Sequence, residues 1–283
     1  MTQRAAKTSR KPSGKGGTRK TSVEPYYITA KHYDAAYALK QDLVDLPFYL
    51  ELAKQSGGPV LEIACGTGRV LLPIAREGIE IHGVDNSRPM LRVLKSHIEN
   101  EPAQIHRNIT LHDRDMRNFR LRKKFPLVII PFRPLQHMYT LEDQFKALTT
   151  ATFHLSGKGI LAFDVFYPKM ELISAGIGQE VADLEWRANS DSIVRRYFKK
   201  DSVDKINQVF DFTFIFRTYQ GDKFVREELE PFRLSYYTYP HLKALFLLAG
   251  LEPVAEYGSF AKTPLDNTAD QMIFLLKRTK SRR

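Results

Sequence analysis

The sequence predicts an α/β protein: a seven-stranded, mostly parallel sheet with an antiparallel final strand, plus an antiparallel β lid inserted late in the chain. Three stretches carry that expectation. Residues 60–85 run strand, glycine turn, helix, strand. Residues 125–131 form an unbroken apolar run, as a parallel strand buried on both faces requires. Residues 193–236 alternate at period two between short turn signals, as antiparallel strands do.

Residues 23–54 read as helical. Tyr33, Tyr37, Leu39, Leu43, Leu46, Leu50 and Leu52 recur near helical spacing, and Pro47 breaks or starts a helix there. Residues 60–64 form a short apolar strand. Gly66 and Gly68 then permit a turn whose backbone can touch a ligand, because neither places a Cβ in the way. Residues 70–76 fit one face of a helix, with Pro73 early, where a missing N–H costs little, and Gly78 as its stop. A second strand, 79–84, ends in Asp85, placed to accept both hydroxyls of a ribose.

Ser87 caps the next helix, Pro89 sits in its first turn, and Met90 and Leu91 face inward. Residues 109–112 give the third strand, followed by Asp113, Asp115 and Met116. The fourth strand, 125–131, delivers Pro131, Arg133, Gln136 and His137 to the carboxyl edge of the sheet, where α/β proteins bind ligands. Thr140, with Asp143 three residues on, opens another helix, which Gly157 and Gly159 are expected to close. Residues 159–165 are the fifth strand.

Residues 168–236 displace the usual next helix. Strands are expected at 193–200, 206–217 and 223–236, with turns at 201–205 and 219–222. Phe210, Phe212, Phe214 and Phe216 share one face, which must be covered, over the active site or by another subunit. Thr238, Pro240 and Gly250 bound a last helix, and 251–257 with 271–276 complete the sheet as a hairpin pair.

A dinucleotide fingerprint would need a third glycine at Leu71, and it is absent. An acid, Glu62, instead precedes Gly66 by four residues. The stretch Glu62-Ile-Ala-Cys-Gly-Thr-Gly is similar to the E/D-x-G/A-x-G-x-G motif of class I S-adenosylmethionine (SAM) methyltransferases, which are Rossmann-like. Alanine at 64, where many members carry glycine, occurs in the glycine N-methyltransferase type. The resemblance covers roughly residues 25–276 and is of the glycine N-methyltransferase or sugar N-methyltransferase type; the F-x-x-x-Q-H-x pattern beginning at Phe132 resembles that of a bacterial group of small-molecule methyltransferases. It implies that SAM is the cofactor. It further implies cofactor contacts from Tyr33, Glu62, Ala64, Gly66, Thr67, Gly68, Arg69, Asp85, Asn86, Met90, Asp115, Met116 and Pro131. In the family a tyrosine near position 33 reaches the methionine carboxylate, and the Asp115-Met116 step meets the adenine. Plain core packing is the competing reading for Tyr33.

The formal charge of +11 belongs to the ends. Residues 1–22 hold Arg4, Lys7, Arg10, Lys11, Lys15, Arg19 and Lys20 and no acid; Lys277, Arg278, Lys280, Arg282 and Arg283 close the chain. The middle is left with 31 basic against 32 acidic residues. The expected organisation is therefore a disordered basic tail (1–22), a SAM-binding domain (23–167 and 237–276), the lid or oligomerisation insert (168–236) and a short basic tail (277–283). Weak polyanion contact by the tails is expected at most. A lone cysteine, Cys65, and no apolar run of membrane length point to a reducing, cytoplasmic setting and no membrane.

Methyl transfer needs alignment of a nucleophile and exclusion of water, not a metal, and the histidines show no ligand spacing. His137 is the candidate base, with a structural histidine as the alternative. Arg133, Gln136, Tyr167 and Tyr236 are the candidate acceptor-binding residues; solvent exposure of Arg133 and core packing of the tyrosines are the alternatives. Cytosine C5 chemistry is disfavoured, because Cys65 lies in the glycine loop, and no N/D-P-P-Y/F follows the fourth strand. Three readings remain: an N- or O-methyltransferase for a small molecule, an RNA or protein methyltransferase using its basic tails, and a non-catalytic SAM-binding protein. In the third, the inserted sheet serves assembly; a homodimer through that sheet is open to any of them.

Overall fold

The computed structural model describes residues 26–38 and 44–279. The tail 1–22 and residues 280–283 lie outside them. In chain order the elements are α1 (Tyr27–Ala38), α2 (Asp45–Ser56), β1 (Val60–Ile63), α3 (Leu71–Arg76), β2 (Ile81–Asp85), α4 (Arg88–Glu99), α5 (Ala103–His106), β3 (Ile109–Asp113), β4 (Phe125–Ile130), α6 (Leu141–His154) and β5 (Leu155–Phe166). Then come α7 (Met170–Ile173), β6 (Glu180–Arg187), β7 (Ser192–Asp204), β8 (Val209–Gln220), β9 (Lys223–Ser235), α8 (Tyr239–Leu248), β10 (Leu251–Tyr257) and β11 (Gln271–Arg278).

The main sheet has the order β10-β11-β5-β4-β1-β2-β3, and β11 runs antiparallel to both its neighbours. The Rossmann-like arrangement and the hairpin pair follow the expectation. Both faces are covered. Leu61, Ile63, Val128 and Ile130 point to the side holding Leu148, Phe246 and Phe274. Val60, Leu127 and Ile129 point to the side holding Tyr49, Leu71 and Leu94. Successive residues of β1 and β4 thus enter different cores, which is why neither strand has a polar face; each such side chain contributes roughly 1.5–3 kcal/mol on burial.

Local signals set the helix ends. The Ser87 hydroxyl accepts from the Met90 amide, and Thr140 accepts from Asp143 N–H at 3.2 Å. Thr238 occupies the N-cap of α8, but its side chain makes no cap bond. One expectation about α6 fails. The helix ends at His154 and passes straight into β5, with Gly157 and Gly159 inside the strand. A Cβ on Gly159 would lie 2.7 Å from the Phe125 carbonyl oxygen, so this glycine serves the close approach of β5 to β4 rather than a helix stop.

The insert is a separate four-stranded antiparallel sheet, β6-β7-β8-β9. Its first strand, β6, was not expected: a register shift between Ala182 and Leu184 breaks the alternation that would have marked it. Residues 201–204 belong to β7 instead of a turn, and the reversal falls at 205–208, where Asp204 accepts from the Ile206 and Asn207 amides. The outer face of this sheet is a lattice of ion pairs, Arg195 with Glu185, Arg217 with Glu227 and Glu180, and Arg233 with Asp211. Its phenylalanine face turns toward α1 and the carboxyl edge of the main sheet: Phe216 packs with Ala36, and Phe210 with Tyr236.

Candidate functional site

The bend after β1 is built by backbone demands. Ala64, Gly66 and Gly68 all take positive φ, at 60°, 55° and 90°. A Cβ on Gly66 would meet nothing within 4 Å, so this side of the bend is an open cradle. A Cβ on Gly68 would strike Leu94 at 2.4 Å, so that glycine lets α4 pack on the loop.

Asp85, at the end of β2, closes the bend from the other side. Its carboxylate accepts the Gly66 amide at 2.8 Å and the Ser87 amide at 2.7 Å. Burial pushes its pKa up, against those hydrogen bonds. Glu62, 2% exposed, lies in β1, four residues before Gly66. Its Oε2 has no partner among the described residues, and burial raises its pKa well above the carboxylate range. An orphaned buried acceptor beside an open glycine cradle fits a ligand that brings a positively charged donor and a ribose. That combination is met by the amino-acid and nucleoside parts of SAM.

Helix α1 closes over the loop. Asp34 accepts from the Thr67 hydroxyl at 2.8 Å and meets His97 Nε2 at 3.1 Å. From the opposite side, Glu230 of β9 accepts from the Ile28 and Thr29 amides and the Thr29 hydroxyl, capping the helix. Arg69 makes two bonds to the buried Asp45, at 2.7 and 2.6 Å, and lies over the Phe132 ring. A cleft of about 400 Å³ opens between α1, α2 and the loop, lined by Tyr33, Tyr37, Thr67, Arg69 and His97 among others. The residues expected at the adenine end do not line it. Asn86 is exposed, and Met90 and Met116 are buried. Asp115 is held below the carboxylate range by bonds from Arg117, one of them 2.5 Å.

The turn after β4 carries the remaining candidates. Phe132 and Arg133 are consecutive residues with φ of 69° and 70°. Left-handed backbone at two bulky residues costs about 1–3 kcal/mol each and marks a functional position more often than a structural one. Asp164, at the end of β5, anchors it by accepting the Phe132 amide at 2.8 Å and the Tyr49 hydroxyl at 2.7 Å; burial pushes its pKa up to about 6. The Tyr26 hydroxyl lies 2.7 Å from His137 Nε2, and burial lowers the histidine to about 4. Gln136 is fully buried with both ends of its amide used, donating to the Ser235 carbonyl and accepting the Phe166 amide. It joins the insert to the main sheet. Tyr236 is 4% exposed and packs on Phe210, whereas Tyr167 is half-buried.

Asp34, Asp45, Asp164 and Glu230 were given no role from sequence. Their partners lie 24 to 202 positions away, and nothing local announces such bonds.

Residues 60–159 match a family model described as a methyltransferase domain. A putative methyltransferase of Bacillus subtilis is 28% identical over 41% of this chain and 46% of its own length. A dTDP-3-amino-3,4,6-trideoxy-glucopyranose N,N-dimethyltransferase of Streptomyces venezuelae is 29% identical over 38% of this chain and 42% of its own. The chain thus matches a little under half the length of these curated relatives. Among solved structures, the CcbJ methyltransferase of Streptomyces caelestis superimposes with a TM-score of 0.72 at 20% identity, covering 91% of this chain and 100% of its own. A SAM-bound amino pentose methyltransferase of Micromonospora echinaspora gives 0.67 at 20% identity, over 87% and 96%. Residues 60–159 thus resemble a methyltransferase domain, and the body of the chain shares the fold of solved methyltransferases.

Proposed function

We propose that the chain is a SAM-dependent methyltransferase that methylates a nitrogen or oxygen of a small molecule. The observation that carries this is the open cradle at Gly66, set between the unpartnered Glu62 oxygen and the Asp85 carboxylate. In this reading Glu62 meets the amino group of the methionine part, Asp85 the ribose, and the loop backbone the region between. Tyr33 and Arg69 border the carboxylate end, and Asp115, Met116, Asn86, Met90 and Pro131 the adenine end. SAM supplies a methyl group on a sulfonium, and the protein has to orient the acceptor and exclude water.

His137 is neutral over the neutral pH range, so its ring is free to hold the Tyr26 hydroxyl or to take a proton from the acceptor. With so low a pKa it is a weak base, which suits an amine acceptor better than a hydroxyl. The activities for which similar proteins are named, an amino sugar N,N-dimethyltransferase and a sugar N-methyltransferase among them, favour nitrogen. The insert, 168–236, acts as the acceptor lid in this reading.

Incubation with methyl-labelled SAM and a fractionated metabolite pool, followed by mass detection of product, tests the proposal. Label is expected in a low-mass fraction. Label appearing only in RNA or protein would favour the reading in which the basic ends hold a polymer. Removing residues 1–22 is expected to leave kcat/KM for the small acceptor unchanged, and a fall of more than about tenfold would favour the polymer.

A further inference from the structure

The inner face of the insert and the carboxyl edge of the main sheet share a closed circuit of side chains. On the main-sheet side, Phe132 meets Tyr37 of α1 at 5.1 Å, and the Arg133 guanidinium lies 5.9 Å from the Phe132 ring and 6.0 Å from Phe166. On the insert side, Arg196 reaches Tyr37 at 5.4 Å and Phe214 at 4.7 Å. Phe214 stacks on Phe232 at 4.4 Å, and Phe232 on Phe212 at 5.4 Å. Phe210 then links Phe212, at 5.5 Å, to Phe166, at 6.4 Å, and the circuit returns to Arg133. Most of these rings are only half-buried, so they keep apolar surface to offer.

The cations around the circuit are unequal. Arg196, 2% exposed, is neutralised by Asp183 at 2.5 Å. Lys200 is spent on the Ile173 and Ala175 carbonyls, and Arg233 on Asp211. Arg133 makes no ion pair among the described residues, and its buried Nε has no hydrogen-bond partner. The nearby Asp164 carboxylate takes the Tyr49 hydroxyl and the Phe132 amide on one oxygen and feels the charge of Arg133, without forming an ion pair with it. Flat apolar walls recognise a flat apolar body, and a single unpaired guanidinium recognises a single carboxylate; a diphosphate would ask for several donors.

Resting on the methyltransferase reading above, we infer that the acceptor is an amine with a planar, largely apolar body and one carboxylate, stacked within this circuit and paired with Arg133. It is not a nucleoside diphosphate sugar of the kind named for the Streptomyces venezuelae relative. The insert therefore selects by ring stacking, and Arg133 sets the end of the acceptor that points inward.

Calorimetric titration of the full chain, saturated with S-adenosylhomocysteine, tests this with four probes: 4-aminophenylacetate, 4-methylaniline, 6-aminohexanoate and thymidine diphosphate. The aromatic carboxylate is expected to bind at least about tenfold more tightly than each of the others. Arg133→Met should erase its advantage over 4-methylaniline, Arg133→Lys should restore part of it, and Phe214→Ala should erase its advantage over 6-aminohexanoate. Homocysteine-derivative affinity, measured first on each variant, reports the cofactor site separately, so loss of that binding counts against the methyltransferase reading rather than this one. Tighter binding of thymidine diphosphate, a carboxylate preference unchanged in Arg133→Met, or no binding of 4-aminophenylacetate at about 10 mM would overturn the inference.

Discussion

Between Val60 and Asp85 the backbone shapes the proposed cofactor cradle, whereas between Glu180 and Ser235 side chains shape the proposed acceptor face. In the first region the requirements are positional: an open direction at Gly66, no Cβ at Gly68, a carboxylate facing two amides. Few residues satisfy each, so a short motif suffices to mark the place. In the second region the strands pair over a dozen positions, and alternation alone turns phenylalanines inward and ion pairs outward. Many residues satisfy such a pattern, so the frame tolerates changes of acceptor pocket without losing its pairing. The matched family segment, 60–159, contains the first region and none of the second. The comparison teaches that the bend is fixed by stereochemistry and the inserted sheet by composition.

That division can be broken most forcefully at the bend. Gly68→Val places side-chain carbon where Leu94 sits, at a φ of 90° that a β-branched residue resists. Urea unfolding should show a loss of about 2–3 kcal/mol, and S-adenosylhomocysteine binding should vanish. A variant of wild-type stability and affinity would show that the bend tolerates what an ordinary loop does.

The joint between the regions is sharpened by pH. The folded protein holds His137 near 4, below its unfolded value of about 6.5. The unfolded chain therefore takes up the proton first, and stability contributed by the neutral ring is present above about pH 6.5 and lost as pH falls toward 4. Asp164 works in the opposite sense. Its folded value, about 6, exceeds the unfolded one, so the protonated carboxyl contributes stability at low pH that disappears as pH rises through 6. Comparing wild type with His137→Gln isolates the first effect. The wild type should lose more stability between pH 6.5 and 4.5, by up to roughly 1.4 kcal/mol per pH unit. Parallel stability curves would place the histidine in solvent.

Asp34→Ala probes the contact between α1 and the loop, which brings the two regions together. Removing the acceptor of the Thr67 hydroxyl and the partner of His97 should cost about 0.5–1.5 kcal/mol in thermal unfolding, since Asp34 is half exposed. Cofactor affinity should fall by a similar amount if α1 is the cover. An unaltered affinity would make it a bystander.

The sheet, its strand order and the glycine bend were legible because each rests on residues adjacent in sequence: an apolar run at β4, a glycine pair, an acid at the end of β2. The capping of α1 by Glu230 was not, because an acid on a strand some 200 residues away carries no mark of its partner. Strand β6 was hidden by its own irregularity. Gly157 and Gly159 looked like a helix stop because a glycine needed for a close strand contact is indistinguishable, in sequence, from one needed for a turn. Gln136, expected at the acceptor pocket, has its amide bonded to Ser235 and Phe166, partners that its own sequence neighbourhood does not announce.

The central claim is that the cradle at Gly66 and the Asp85 carboxylate grip the nucleoside of the sulfonium donor. Isothermal titration of S-adenosylhomocysteine into the wild type and Asp85→Ala tests it most directly. The account predicts one site per chain in the wild type and a loss of roughly 1–3 kcal/mol in the variant, about 5- to 150-fold in affinity. No heat at about 1 mM ligand, or equal affinities for the two proteins, would contradict it.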